Sequence, residues 1–147
     1  MYFADLTPYR YGCWGPDPDP NVLNVGWLSR EHSFDRGQCD DRFVSELARL
    51  VAQPVNLFRG SHLCEFCPTP PTVLSQGGIP MLNPPPDTTG NGEIRVLSAE
   101  GEGVIYVAPV LILHYVKVHG YRPPQSFVDA VLRGVTVPIL RSPHHDA

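Results

Sequence analysis

The sequence predicts an α+β fold: a small antiparallel sheet packed against a buried helix, with two further amphipathic helices and long ordered loops. Three observations point there. Two β-prone runs, Glu93 to Leu97 and Val104 to Val107, flank the turn-forming stretch 98–103, the composition of an antiparallel hairpin. Directly after them, Val110 to Val118 is almost wholly apolar and stops at Gly120, as a helix buried against that hairpin would. Finally, 17 prolines and 13 glycines among 147 residues leave little chain for extended regular sheet.

In chain order, the first forty residues place Tyr2, Tyr9, Tyr11 and Trp14 among Pro16, Pro18 and Pro20 without helical period, and only Val22 to Leu28 reads as a strand. This segment is expected to wrap the core. Asp40 or Asp41 can cap a helix from Asp41 to Ala52, with Phe43, Val44, Leu47, Leu50 and Val51 at helical spacing and Pro54 just beyond its end. Val55 to Phe58 is a short strand candidate. The prolines at 68, 70 and 71 argue against regular structure after Cys67, and residues 77–92, rich in Pro, Gly and Asn, read as an extended surface loop. Pro109 suits the first position of the buried helix, which is expected to run to about His119, and Pro124 opens a last helix to Arg133 with Phe127, Val128, Val131 and Leu132 on one side. With no boundary or internal repeat, residues 1–147 read as one domain.

Composition narrows the function classes. A net charge of −4 opposes nucleic-acid binding, which normally needs a clustered basic surface. The start of the chain lacks a basic and apolar leader, and the longest apolar run is broken by Pro109 and His114, so neither export nor a membrane span is expected. In a cytoplasmic setting the four cysteines, Cys13, Cys39, Cys64 and Cys67, are thiols or metal ligands rather than a disulfide framework.

Cys64 and Cys67 have the spacing of a zinc knuckle, in which a tight turn aims two sulfurs at one point and supplies half of a tetrahedral site. The pair could instead be a redox dithiol, but that chemistry wants a helix starting at the first thiol, and Pro68 removes it. For the other half, His114 is the leading candidate, because a histidine inside an apolar helix must satisfy two ring nitrogens; a hydrogen-bonded core histidine is the alternative. His119 follows at a spacing seen in zinc sites, yet positions five apart lie about 140° around a regular helix, so both can reach one ion only if the helix loosens before Gly120. Otherwise His119 is a C-terminal residue favoured by the helix dipole. His62 could complete the site or stand beside it; His32, Cys13, Cys39, His144 and His145 are further candidates, with ordinary thiols the simpler reading of Cys13 and Cys39.

A structural Zn2+ would be closed by Cys64, Cys67, His114 and His119, whereas a catalytic one would keep a place for water and a general base, for which Glu93 and His62 are the candidates. Glu93 follows the turn Gly90-Asn91-Gly92, where apolar surroundings would raise its pKa and Glu93→Gln would spare the fold; a strand-end carboxylate paired with Arg59 or Arg95 is the alternative. The zinc-deaminase pattern is absent. The readings are a zinc-stabilised module binding a protein or small-molecule partner, with Tyr9, Tyr11, Trp14 and Trp27 as contact surface or core, or else a zinc hydrolase or lyase. A nucleic-acid finger ranks last.

Met1 to Leu6, Asn24 to Leu28, Arg59 to Cys67, Gly90 to Val96, Tyr106 to Pro109, His114-Tyr115, His119 and Tyr121 to Pro124 together resemble a family of small bacterial proteins of unknown function. The resemblance implies one domain using these polar residues together, and implies no activity.

Overall fold

A computed structural model of the chain describes residues 2–9, 19–56, 62–100 and 103–137. Its elements are β1 (Pro8–Tyr9), β2 (Asp19–Asn24), α1 (Asp41–Val51), β3 (His62–Leu63), β4 (Thr72–Leu74), β5 (Pro80–Leu82), a single 3₁₀ turn (Pro86–Thr88), β6 (Thr89–Gly90), β7 (Glu93–Leu97), β8 (Ile105–Pro109), α2 (Ile112–His119) and α3 (Gln125–Arg133). The architecture is α+β, as the sequence predicts.

The central sheet has the order β1-β2-β8-β7. β7 and β8 form the expected antiparallel hairpin, with Glu93 opposite Pro109 and Leu97 opposite Ile105. The sheet is nevertheless mixed, because β2 pairs with β8 in parallel, Val22 opposite Ile105. That parallel pairing joins segments some eighty residues apart, which local composition does not reveal.

Strand alternation sorts the sheet into two faces. Ile94, Val96, Tyr106 and Ala108 turn toward the helices and meet Phe43, Leu47 and Leu50 of α1, Ile112 and Tyr115 of α2 and Phe127, Ala130 and Val131 of α3. Ile105 and Val107 face the other way, onto Val22 and Trp27 with Phe3 and Tyr9 packed behind. Trp27 is therefore core rather than contact surface: it is buried, and its indole N–H donates to the Val107 carbonyl at 3.0 Å.

Two helices follow the expected pattern. Asp40 caps α1 by accepting from the Arg42 amide, and Pro124 and Gly134 bracket α3. The buried helix differs. Pro109 closes β8, where it needs no N–H of its own, and α2 begins at Ile112. Nor is α2 buried all round, since Lys117 and Val118 are exposed. The presumed loop also contains structure: β4 and β5 form an antiparallel hairpin across Ser75–Ile79. Among the described residues no helix is long and apolar enough to cross a membrane.

Glu93 and Arg95 lie on the second sheet face, two residues apart and both buried. Glu93 Oε2 accepts from Arg95 Nε at 3.0 Å, and Oε1 accepts from the Tyr9 hydroxyl at 2.8 Å and Asn56 Nδ2 at 2.9 Å. The Arg95 guanidinium in turn lies over the Tyr9 ring. Burial, with the Glu93 charge next to it, raises the Tyr9 pKa, so its hydroxyl stays a donor. The apolar surroundings expected for Glu93 are thus replaced by three donors, and removing one charge leaves a buried guanidinium without its counter-ion. Glu93→Gln is expected to destabilise the fold by about 3 kcal/mol, read as a lower urea midpoint at unchanged m-value, rather than to spare it.

Candidate metal centre

The turn that follows β3 carries both thiols. β3 pairs with β6, His62 opposite Gly90, and the Cys64 amide donates to the Thr88 carbonyl at 2.9 Å, so the entry to the turn is fixed by backbone bonds. Inside the turn, the Phe66 ring packs edge-on against Phe34 and Tyr115 and at a tilt on His119, with centroids 5.3 to 5.9 Å away. One intervening residue thereby serves as an apolar anchor, leaving the sulfurs aimed inward.

The histidines come from α2, and its last turn is where regular geometry gives way. The Gly120 amide donates to the Tyr115 carbonyl five residues back, and the Tyr121 amide reaches the same carbonyl at 3.1 Å from six back. These are wider turns than the four-residue spacing of an α-helix and reduce the angle between positions five apart. Gly120 takes the left-handed conformation, φ 69°, that such an ending needs. The backbone beyond is held by the Gly37 amide on the Gly120 carbonyl and by the Tyr121 hydroxyl on Asp5 Oδ2 at 2.7 Å.

The outcome is convergence. His114 Nε2 and His119 Nε2 are 3.2 Å apart; Cys67 Sγ lies 3.2 Å from the first and 3.5 Å from the second; Cys64 Sγ lies 3.3 Å from His119 Nε2. All four donor atoms fall within 4.8 Å of one another, and together they could hold one metal ion. Cys64 and His114 are buried and the other two half-buried.

The electrostatics suit a cation. Burial pushes the Cys64 thiol up to about 11, partly offset by the Phe66 and Cys67 amides that hydrogen-bond to its sulfur. Burial also lowers the pKa of both histidines, aided at His114 by His119 and at His119 by Arg36. The rings are therefore neutral at pH 7, with lone pairs to offer, and a bound cation would supply the charge that a thiolate needs.

His114 Nδ1, on the far side of the ring, is buried without a hydrogen-bond partner. Asp87 Oδ2, on the 3₁₀ turn, lies 3.9 Å away on an exposed side chain. With Nε2 on a metal, Nδ1 must carry the proton, and a carboxylate at that point is the usual outer partner of a ligating imidazole. The sequence reading missed Asp87, whose only signal is a lone acid after Pro84-Pro85-Pro86.

The remaining candidates lie elsewhere. His62 is exposed and lines a cleft with Trp27, Leu111 and Tyr115 beside the turn, outside the four-donor cluster. His32 stacks on Tyr2 at 3.8 Å, and Cys39 is a half-buried thiol against the Tyr121 carbonyl. Glu93 is held in its ion pair. Tyr11, Cys13, Trp14, Phe58, Arg59, His144 and His145 fall outside the described residues.

No curated protein and no solved structure matches the chain. A family model described as a domain of unknown function, DUF7919, matches residues 1–132, nearly the whole chain through most of α3, and the protein belongs to that family.

Proposed function

We propose that the protein is a zinc-stabilised binding module of the cytoplasm, a single domain in which Cys64, Cys67, His114 and His119 hold a structural Zn2+. One observation carries this reading: four of the six edges among the donor atoms are already close to those of a tetrahedron, and all six fall within 4.8 Å. Zn–S bonds of about 2.3 Å and Zn–N bonds of about 2.0–2.1 Å require S···N edges of roughly 3.6 Å and an N···N edge of roughly 3.3 Å. The corresponding separations are 3.2 to 3.5 Å and 3.2 Å. A tetrahedral set of two thiolates and two imidazoles favours zinc over calcium or magnesium, which take oxygen ligands.

Closure by four protein ligands favours a structural over a catalytic ion, since hydrolytic zinc keeps a position for water. The engagement of Glu93 by Tyr9, Asn56 and Arg95 supports the same conclusion. Zinc would tie a turn to a helix some fifty residues later, and a metal that binds only the folded chain adds its binding free energy to stability. A reducing compartment keeps the two thiols available, and the net charge of −4 favours a protein or small-molecule partner over a nucleic acid.

Purified protein is expected to contain one zinc per chain, and zinc-edge X-ray absorption to report two sulfurs and two nitrogens; three protein ligands plus a water oxygen would instead mark a catalytic ion, with His62 in the adjoining cleft as its base. Cys64→Ser should lose zinc and cooperative unfolding together; a folded, zinc-replete variant would remove Cys64 from the set. Asp87→Asn should leave the fold intact yet weaken zinc binding about 10- to 100-fold in competition with a chelator, the usual effect of deleting an outer carboxylate.

A further inference from the structure

The hairpin of β4 and β5 has no counterpart in the metal site and is chemically unlike the rest of the surface. Leu74 is 71% exposed, Ile79 65% and Met81 54%, with Val73 and Leu82 also open to solvent. Val73 and Leu74 point to opposite sides of the strand, so both faces of the hairpin are apolar. From Pro68 to Pro86 no residue carries a charge. Monomers rarely leave such a patch uncovered, and exposed strands ordinarily carry a lysine or an inward charge to prevent pairing.

The backbone states which edge is open. The Ser75 amide bonds the Ile79 carbonyl and the Asn83 amide bonds the Pro71 carbonyl. By antiparallel alternation the pair midway between them, Val73 and Met81, is also hydrogen-bonded inward. The amides and carbonyls of Thr72 and Leu74 therefore point outward along β4. On the β5 side the outward positions are Pro80 and Leu82, and Pro80 has no N–H to give. The central sheet is better guarded, since its β7 edge is bridged by Val55 and Thr136.

We propose that β4 pairs antiparallel with β4 of a second copy of this chain, making a four-stranded sheet β5-β4-β4-β5 across a two-fold axis at Val73. The edge is self-complementary. Thr72 of each copy meets Leu74 of the other as a hydrogen-bonded pair, and the two Val73 side chains meet at the axis as a close, non-hydrogen-bonded pair. The five apolar side chains expose on the order of 500 Å² per copy, the size of patch that marks an interaction site, and pairing along β4 brings Val73 and Leu74 of each copy together beside the axis. Charge agrees: two chains of −4 repel, and the uncharged hairpin is where they can approach at least cost. A tip of Ser75, Gln76, Gly77 and Gly78 is unsuited to entering a lipid layer end-on.

Sedimentation equilibrium of the intact zinc-loaded protein tests this directly. The wild type is expected to be a dimer at micromolar concentration. Val73→Glu and Val73→Lys, each placing like charges across the axis, should both be monomeric, with unchanged zinc content and circular dichroism. Mixing the two variants should restore a one-to-one dimer. A monomeric wild type would overturn the proposal, and if it pelleted with phosphatidylcholine vesicles, the hairpin's occupant would be a lipid surface. A dimer that survives both substitutions would equally overturn it, by placing the interface elsewhere.

Discussion

The structure turns on the meeting of the Cys64–Cys67 turn with the last turn of α2. Neither partner is stable in that arrangement by itself. The turn has only two residues between its cysteines and prolines after them, and α2 has eight residues, fewer than a helix needs to hold its shape in isolation. Each is braced from outside: the turn by β6 and the Phe66 ring, the helix end by Gly37 and the Tyr121 hydroxyl on Asp5. What those braces achieve is an orientation of four donor atoms. The widened turn at Tyr115 is the local cost, and it brings His119 to within 3.2 Å of His114 at their Nε2 atoms.

A second polar cluster performs a different task. Glu93 and Arg95 sit on a sheet face that must also accept β1 and the segment around Asn56. An ion pair there is more directional than apolar packing would be, since each carboxylate oxygen has its own donors, and a shifted register of β7 would break all of them at once. The two clusters flank one short stretch of chain, with Gly90 paired to His62 on the side of the Cys/His cluster and Glu93 pinned on the sheet side. Gly90 itself must stay small, because a Cβ would come 3.1 Å from the Leu111 amide nitrogen.

The parts of this molecule legible in the sequence are those whose information is local. α1 and α3 announce themselves through caps and period, the β7–β8 hairpin through its composition, and the four-donor cluster through two thiols separated by two residues and a histidine in an apolar helix. The condition that α2 loosen before Gly120 could be stated from geometry alone, and the bonds to the Tyr115 carbonyl meet it. What stayed hidden is non-local. The parallel pairing of β2 with β8, the burial of Trp27 and the partners of Glu93 all depend on which distant segment arrives at a given face. Asp87 was hidden for the same reason, its neighbour His114 being twenty-seven positions away. The β4–β5 hairpin was hidden differently: prolines at 71 and 80 suggest irregular chain, yet Pro71 stands just before β4 begins and Pro80 opens β5 at an outward position.

The placement of that hairpin ties the two proposals together. It leaves the fold immediately after Cys67 and returns just before Asp87, so its stem is framed by a thiol of the four-donor cluster on one side and by the carboxylate beside His114 on the other. The two ends are joined by the Cys64 amide on the Thr88 carbonyl and by the β3–β6 pair. An ion bound to Cys64 and Cys67 would fix the outgoing end against α2, holding the stem and thus the direction in which the β4 edge faces. Two copies can align their edges about one axis only if that direction is constant from molecule to molecule. An ion held at the base of the uncharged hairpin would in this sense belong to the proposed dimer surface, although no side chain of that surface would touch it.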